Sequence, residues 1–182
     1  EPFRFFSSAF LHGNWLHFGS NLVSFFVLAP AIEIIFGRFQ LSFLLLFSIF
    51  IGNLFSLYYA PFSLSVGISG GICGLFGAFI TYNFFVQKKL PPTLFKRFLL
   101  VSSMMIGLTV YMGMSVPQIN NWAHLGGFLG GMFGAFILLL WNRRWASKSS
   151  SLFFGILCSI VFGWMAWGWS DLLSKPYPKA FV

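Results

Sequence analysis

Six stretches of about twenty apolar residues, separated by short turns, leave this chain little choice of fold. A helix that crosses a bilayer needs roughly 17–25 mainly apolar residues. Stretches of that kind run over residues 15–36, 39–59, 68–86, 98–114, 122–141 and 152–173. Turn chemistry falls between them, at Gly37-Arg38, Ala60-Pro61, Lys88-Lys89-Leu90-Pro91-Pro92, Val116-Pro117 and the Lys/Ser-rich residues 142–151. Only 8% of the 182 residues are charged against 58% hydrophobic, too few charges to cover a water-facing surface. Disorder needs low hydrophobicity and high charge, so it is excluded as well. The expectation is an all-α polytopic membrane helix bundle with six transmembrane helices, whose surroundings are the lipid bilayer.

The net charge of +8 comes from eleven basic residues against three acidic ones. These charges sit between the apolar stretches and form no basic face, so no nucleic acid partner is expected. They set orientation instead. The turns after the odd-numbered stretches hold Arg38, Lys88, Lys89, Lys96, Arg97, Arg143, Arg144 and Lys148; the opposite side holds Arg4, Lys175 and Lys179. The richer side is expected in the cytoplasm, which puts both ends of the chain outside. The sequence opens at Glu1-Pro2-Phe3-Arg4, and an outside N-terminus ordinarily follows an earlier span. A first helix missing from this chain is therefore expected.

In that orientation the first, third and fifth stretches all enter from outside. His17, Asn21, Ser69 and His124 then share one shallow layer. Ser69 sits in Gly67-Ile68-Ser69-Gly70-Gly71, where small neighbours allow close approach and a helix start offers free N–H groups. A serine in a membrane helix also commonly bonds its own backbone, so this motif is weak alone. His124 adds an ionisable group near hydrocarbon, which marks function by default. It precedes Gly127 and Gly131, a spacing that gives a face for close helix packing. If that face meets the third helix, His124 can take the Ser69 proton. His17 and Asn21, four residues apart, share a helix face and can both donate to an oxyanion or form an interhelical clamp.

No metal site is expected from His12, His17 and His124, which lack a placed carboxylate or thiolate partner. Cys73 and Cys158 have no ligand or disulfide spacing and are read as small buried hydrophobes. None of Glu1, Glu33 and Asp171 falls at the depth of His124, so a Ser–His dyad is the simplest catalytic reading.

Four motifs in order give a resemblance to the rhomboid intramembrane serine proteases. Arg4-Phe5-Phe6 with Phe10-Leu11-His12 resembles the end of that family's first outer loop. His17-Phe18-Gly19-Ser20-Asn21 is similar to its H-x-x-x-N, and Gly67-Ile68-Ser69-Gly70 to its G-x-S-G. Residues 123–131, beginning Ala123-His124, resemble A-H-x-x-G-x-x-x-G. The resemblance implies Ser69 as nucleophile, His124 as general base and acid, and His17 and Asn21 as oxyanion hole with the Ser69 N–H. It implies a protease without cofactor that acts on transmembrane protein substrates near the outer face of a plasma or bacterial inner membrane. Glu33 with Gly37 resembles a structural motif on the cytoplasmic side. Residues 1–141 would form the catalytic core, and residues 142–182 a basic loop, an extra helix and a tail.

Two departures stand out. Cys73 occupies a position where many bacterial relatives carry a Tyr against the catalytic histidine, and the helix over 152–173 follows the core. An inactive relative that escorts transmembrane segments is the main alternative, with a small transporter behind it.

Overall fold

The computed structural model describes residues 3–63, 66–86, 91–115, 120–145 and 148–174. Glu1, Lys88, Lys89, Leu90, Val116, Pro117, Lys175 and Lys179, all used in the sequence reading, lie outside these. The described residues form helices and no strands. After α1 (Arg4–Ser7) and a 3₁₀ turn (Ser8–Phe10) come α2 (Trp15–Phe36), α3 (Arg38–Tyr59), α4 (Ser69–Phe85), α5 (Pro92–Ser115), α6 (Asn121–Trp145) and α7 (Lys148–Ser174). An all-helical bundle is what hydrocarbon permits, since each backbone group must find its partner within the segment.

Among the described residues three helices, Trp15–Phe36, Arg38–Tyr59 and Asn121–Trp141, are long and apolar enough to cross a membrane; Ser69–Phe85, Phe98–Tyr111 and Leu152–Gly168 are shorter apolar helices. All six expected stretches are thus helical, but several helices outrun their apolar parts. Lys96 and Arg97 lie on α5, Arg143 and Arg144 on α6, and Lys148 on α7, where turns were expected. A helix need not stop where hydrocarbon ends, because its hydrogen bonds continue in the wet interface. α5 begins at Pro92, whose missing N–H costs nothing in a first turn.

α4 is the centre of the bundle, with thirteen of its seventeen residues buried. It is apolar around its whole circumference, and such a helix has no face to give to water. It packs most closely on α6, which in turn packs on α3. The α4–α6 seam is made by glycines. A side chain at Gly127 would overlap the Gly70 carbonyl, and one at Gly131 the Gly74 carbonyl. Backbones in such contact gain dispersion along the seam, the main attraction available between helices in lipid. Towards the other end, Leu28, Ile32, Leu44, Leu75, Phe79 and Leu138 fill the core without exposure. Phe79 lies 4.1 Å from Phe98 of α5, centroid to centroid. Gly37 alone joins α2 to α3, at φ +99°, a conformation that suits glycine.

Candidate active site

The histidine of α2 is set by its cap. Asn14 is the N-cap, and its side-chain oxygen accepts from the His17 N–H at 2.8 Å. His17 and Asn21, one turn apart, both point to the loop ahead of α4. A side chain at Gly67 would come within 2.9 Å of His17 Nε2 and 3.2 Å of Asn21 Nδ2. Gly67 has φ +104°, and its N–H donates to the Ser8 carbonyl at 3.1 Å. Two residues on, Ser69 opens α4, whose first-turn N–H groups have no intrahelical partner.

α6 supplies the histidine. Ser69 Oγ and His124 Nε2 are 2.8 Å apart, a hydrogen bond between residues fifty-five positions apart in the chain. Ser69, His124, His17 and Asn21 are all buried, each 4–6% exposed. His17 Nε2 and Asn21 Nδ2 are buried polar atoms without a hydrogen-bond partner. Buried polar atoms left open cost about 1–3 kcal/mol each, so this pair on one face lacks a partner it would ordinarily have. The four expected residues therefore come together from three helices around Gly67 and Ser69.

His12 stands beside them. Its ring meets His17 edge-on at 5.2 Å and Phe18 at 5.1 Å. Burial pushes the His12 imidazole below its usual value, partly offset by a hydrogen bond to the Phe10 backbone. Among the described residues, no group of three or more His, Cys, Asp or Glu is placed to hold a metal ion. Cys73 and Cys158 are both buried free thiols.

Two asparagines escaped the sequence reading. Asn120 is buried, and its Nδ2 donates to Ser56 Oγ and Ser63 Oγ, both at 2.8 Å. Its Oδ1 accepts from the Trp122 N–H at 2.9 Å, and its carbonyl from the N–H of His124. Asn120 thus caps α6 and pins that end to α3. Asn121 Oδ1 lies 3.1 Å from His124 Nδ1. A cavity of about 10 Å³, room for one water molecule, is lined by Asn53, Gly67, Ser69, Gly70, Asn120 and His124 among others.

A hydroxyl and an imidazole are thus joined by a hydrogen bond and buried in an all-helical apolar bundle. The chain belongs to the rhomboid family: the family model for the Rhomboid domain matches residues 1–141. It is 31% identical over 144 residues to RHOMBOID-like protein 6, mitochondrial, of Arabidopsis thaliana, covering 77% of this chain and 45% of that protein. It is 32% identical over 146 residues to RHOMBOID-like protein 5 of the same plant, again 77% of this chain and 45% of that protein. The chain spans less than half the length of these two relatives. No solved structure gives a significant match. With its apolar helices, family membership makes the chain an integral membrane protein.

Proposed function

We propose that the chain is an intramembrane serine endopeptidase that cleaves transmembrane segments of membrane proteins, with residues 1–141 as its catalytic core and residues 142–182 as an addition to it. The single observation that carries this reading is the 2.8 Å hydrogen bond between Ser69 Oγ and His124 Nε2.

In this mechanism Nε2 takes the hydroxyl proton as Oγ attacks the scissile carbonyl carbon. The carbonyl oxygen becomes an oxyanion, met by His17 Nε2–H, Asn21 Nδ2–H and the Ser69 N–H. His124 then gives its proton to the leaving amine as the C–N bond breaks, and Ser69 holds the new N-terminal fragment's acyl group as an ester. A water molecule gives a proton to Nε2 and attacks that ester. Collapse returns the proton to Oγ and releases the acid. Losing one oxyanion donor from such a site costs about 10²–10³ in kcat.

The open side-chain donors of His17 and Asn21 support the oxyanion role. The excess of Lys and Arg at the far ends of these helices supports a site opening to the non-cytoplasmic side of a plasma or bacterial inner membrane.

The test is labelling of the detergent-solubilised protein with a fluorophosphonate probe, beside Ser69→Ala and His124→Ala. The expected result is labelling of wild type, its loss in both variants, and a cooperative melt retained by all three. Folded wild type that stays unlabelled under conditions that label a control serine hydrolase would overturn the reading and favour a relative that only binds transmembrane segments.

A further inference from the structure

His124 makes a second polar contact besides the one to Ser69: its Nδ1 lies 3.1 Å from Asn121 Oδ1. We infer that Asn121 is the positioning residue of the site: its side-chain amide fixes the proton of His124 on Nδ1 and leaves Nε2 bare towards Ser69. The inference rests on the proposed role of the dyad and deepens it.

Asn121 precedes His124 by three residues, so the two side chains lie on one face of α6. Its amide is held at both ends. Nδ2 donates to the Val110 carbonyl of α5 at 3.4 Å, and Oδ1 faces His124 Nδ1 at 3.1 Å. A carbonyl can only accept, so Val110 claims the NH₂ end and turns the oxygen to the ring. An amide oxygen can only accept in turn, so Nδ1 must carry the hydrogen. A neutral imidazole has one N–H, and Nε2 is then the lone pair that meets the Ser69 hydroxyl. Gly113 of α5 makes room for this amide, since any side chain there would overlap Asn121 Oδ1. The site thus achieves with a neutral amide what a carboxylate does in a charged triad: it selects tautomer and ring orientation. Without the amide, a ring that protonates Nε2 would donate to Ser69 and could not accept its proton.

Asn121→Asp separates this role from simple bridging between α5 and α6. A carboxylate still accepts from Nδ1–H but cannot donate to Val110. The experiment uses [¹⁵N]histidine-labelled protein in bilayers, where the three histidines are assigned by single substitutions and the ¹⁵N shifts report the tautomer. Fluorophosphonate labelling rate and melting midpoint are measured on the same preparations. The expected results are an Nδ1–H tautomer in wild type and in Asn121→Asp, and a tautomer mixture in Asn121→Ala. Labelling by Asn121→Ala falls about 10- to 100-fold with a cooperative melt retained, within the roughly 10²–10⁴ that a general base supplies in all. Asn121→Asp labels within about threefold of wild type on the same scale.

A wild-type ring protonated on Nε2 overturns the inference, as does Asn121→Ala with wild-type tautomer and rate. Asn121→Asp as impaired as Asn121→Ala overturns it too, since the bond to Val110 would then be the one that matters. If Asn121→Ala fails to fold, Asn121→Asp decides alone by the same two readouts. Wild type that carries the Nδ1–H tautomer but never labels would sink the protease reading and leave the role of Asn121 standing.

Discussion

α4 and α7 are both apolar helices, yet they meet the rest of the molecule in opposite ways. α4 buries thirteen of seventeen residues and touches α6 backbone to backbone. Among its described side chains and glycines, α7 buries Phe154, Cys158, Met165 and Gly168, a single narrow stripe, and leaves Leu152, Ile160 and Trp167 more than 60% exposed. Its partners are aromatic: Phe154 meets Phe43 of α3 at 4.8 Å and Trp164 meets Phe6 of α1 at 6.3 Å. Large flat side chains tolerate small shifts in distance, whereas glycine seams do not. The Ser69–His124 bond spans the seam that tolerates least, which is where an atom-to-atom distance can be held. α7 also lies beyond residues 1–141, the stretch that carries the Rhomboid domain.

The largest effect should come from breaking that seam. Gly131→Leu would drive a side chain into the Gly74 carbonyl, where backbone and no flexible side chain stands in the way. Such overpacking against fixed atoms belongs to the exceptional class above about 4 kcal/mol. The expected outcome is a variant that fails to give a cooperative melt in detergent, or one that melts with its α4–α6 pairing lost and no probe labelling. A folded Gly131→Leu protein with wild-type labelling would show that the seam does not set the dyad.

The contrast between these helices also marks what the sequence could tell. The six apolar stretches are legible because hydrocarbon demands them, and α2 matches residues 15–36 at both ends. Helix ends in the interface are less legible: α5 starts six residues before its expected span, through Lys96 and Arg97, because charge stops hydropathy but does not stop a helix. His17, Asn21, Ser69 and His124 stand out as polar groups where few are tolerated. Asn121 does not, because it follows Pro117 in a stretch that reads as a turn, and because a neutral amide lacks the charge that marks a carboxylate as the third group of a triad. The signal that could have found it is its spacing of three from His124. α1 and the 3₁₀ turn are too short to leave a period in the sequence.

A middle-sized effect is expected at the loop that feeds the seam. Gly67→Ala places a side chain at φ +104° and within 2.8 Å of the His17 ring. Backbone strain of this kind costs about 1–3 kcal/mol. The ring can turn away to relieve the contact, but it then leaves the proposed oxyanion position. Melting should therefore fall modestly while labelling falls by about the 10²–10³ of a lost oxyanion donor. Equal losses in Gly67→Ala and in a surface control would break the link between this glycine and His17.

The smallest effect belongs to α7. A side chain at Gly163 would find no atom within 4 Å, so Gly163→Ala adds a methyl group to open space on a helix that is half outside the bundle. Alanine is favoured over glycine in a helix by about 0.8–1.0 kcal/mol in water. In lipid that gain is smaller, because glycine's exposed backbone has no water to bond and the helix is already the only way to satisfy it. Melting should stay level or rise slightly, and labelling should not change. Loss of labelling in this variant would mean that α7 bears on the site after all, for instance through the stacking of Phe153 on Trp141 of α6. The division between a seam that holds the proposed dyad and a helix that only leans on it would then have to be redrawn.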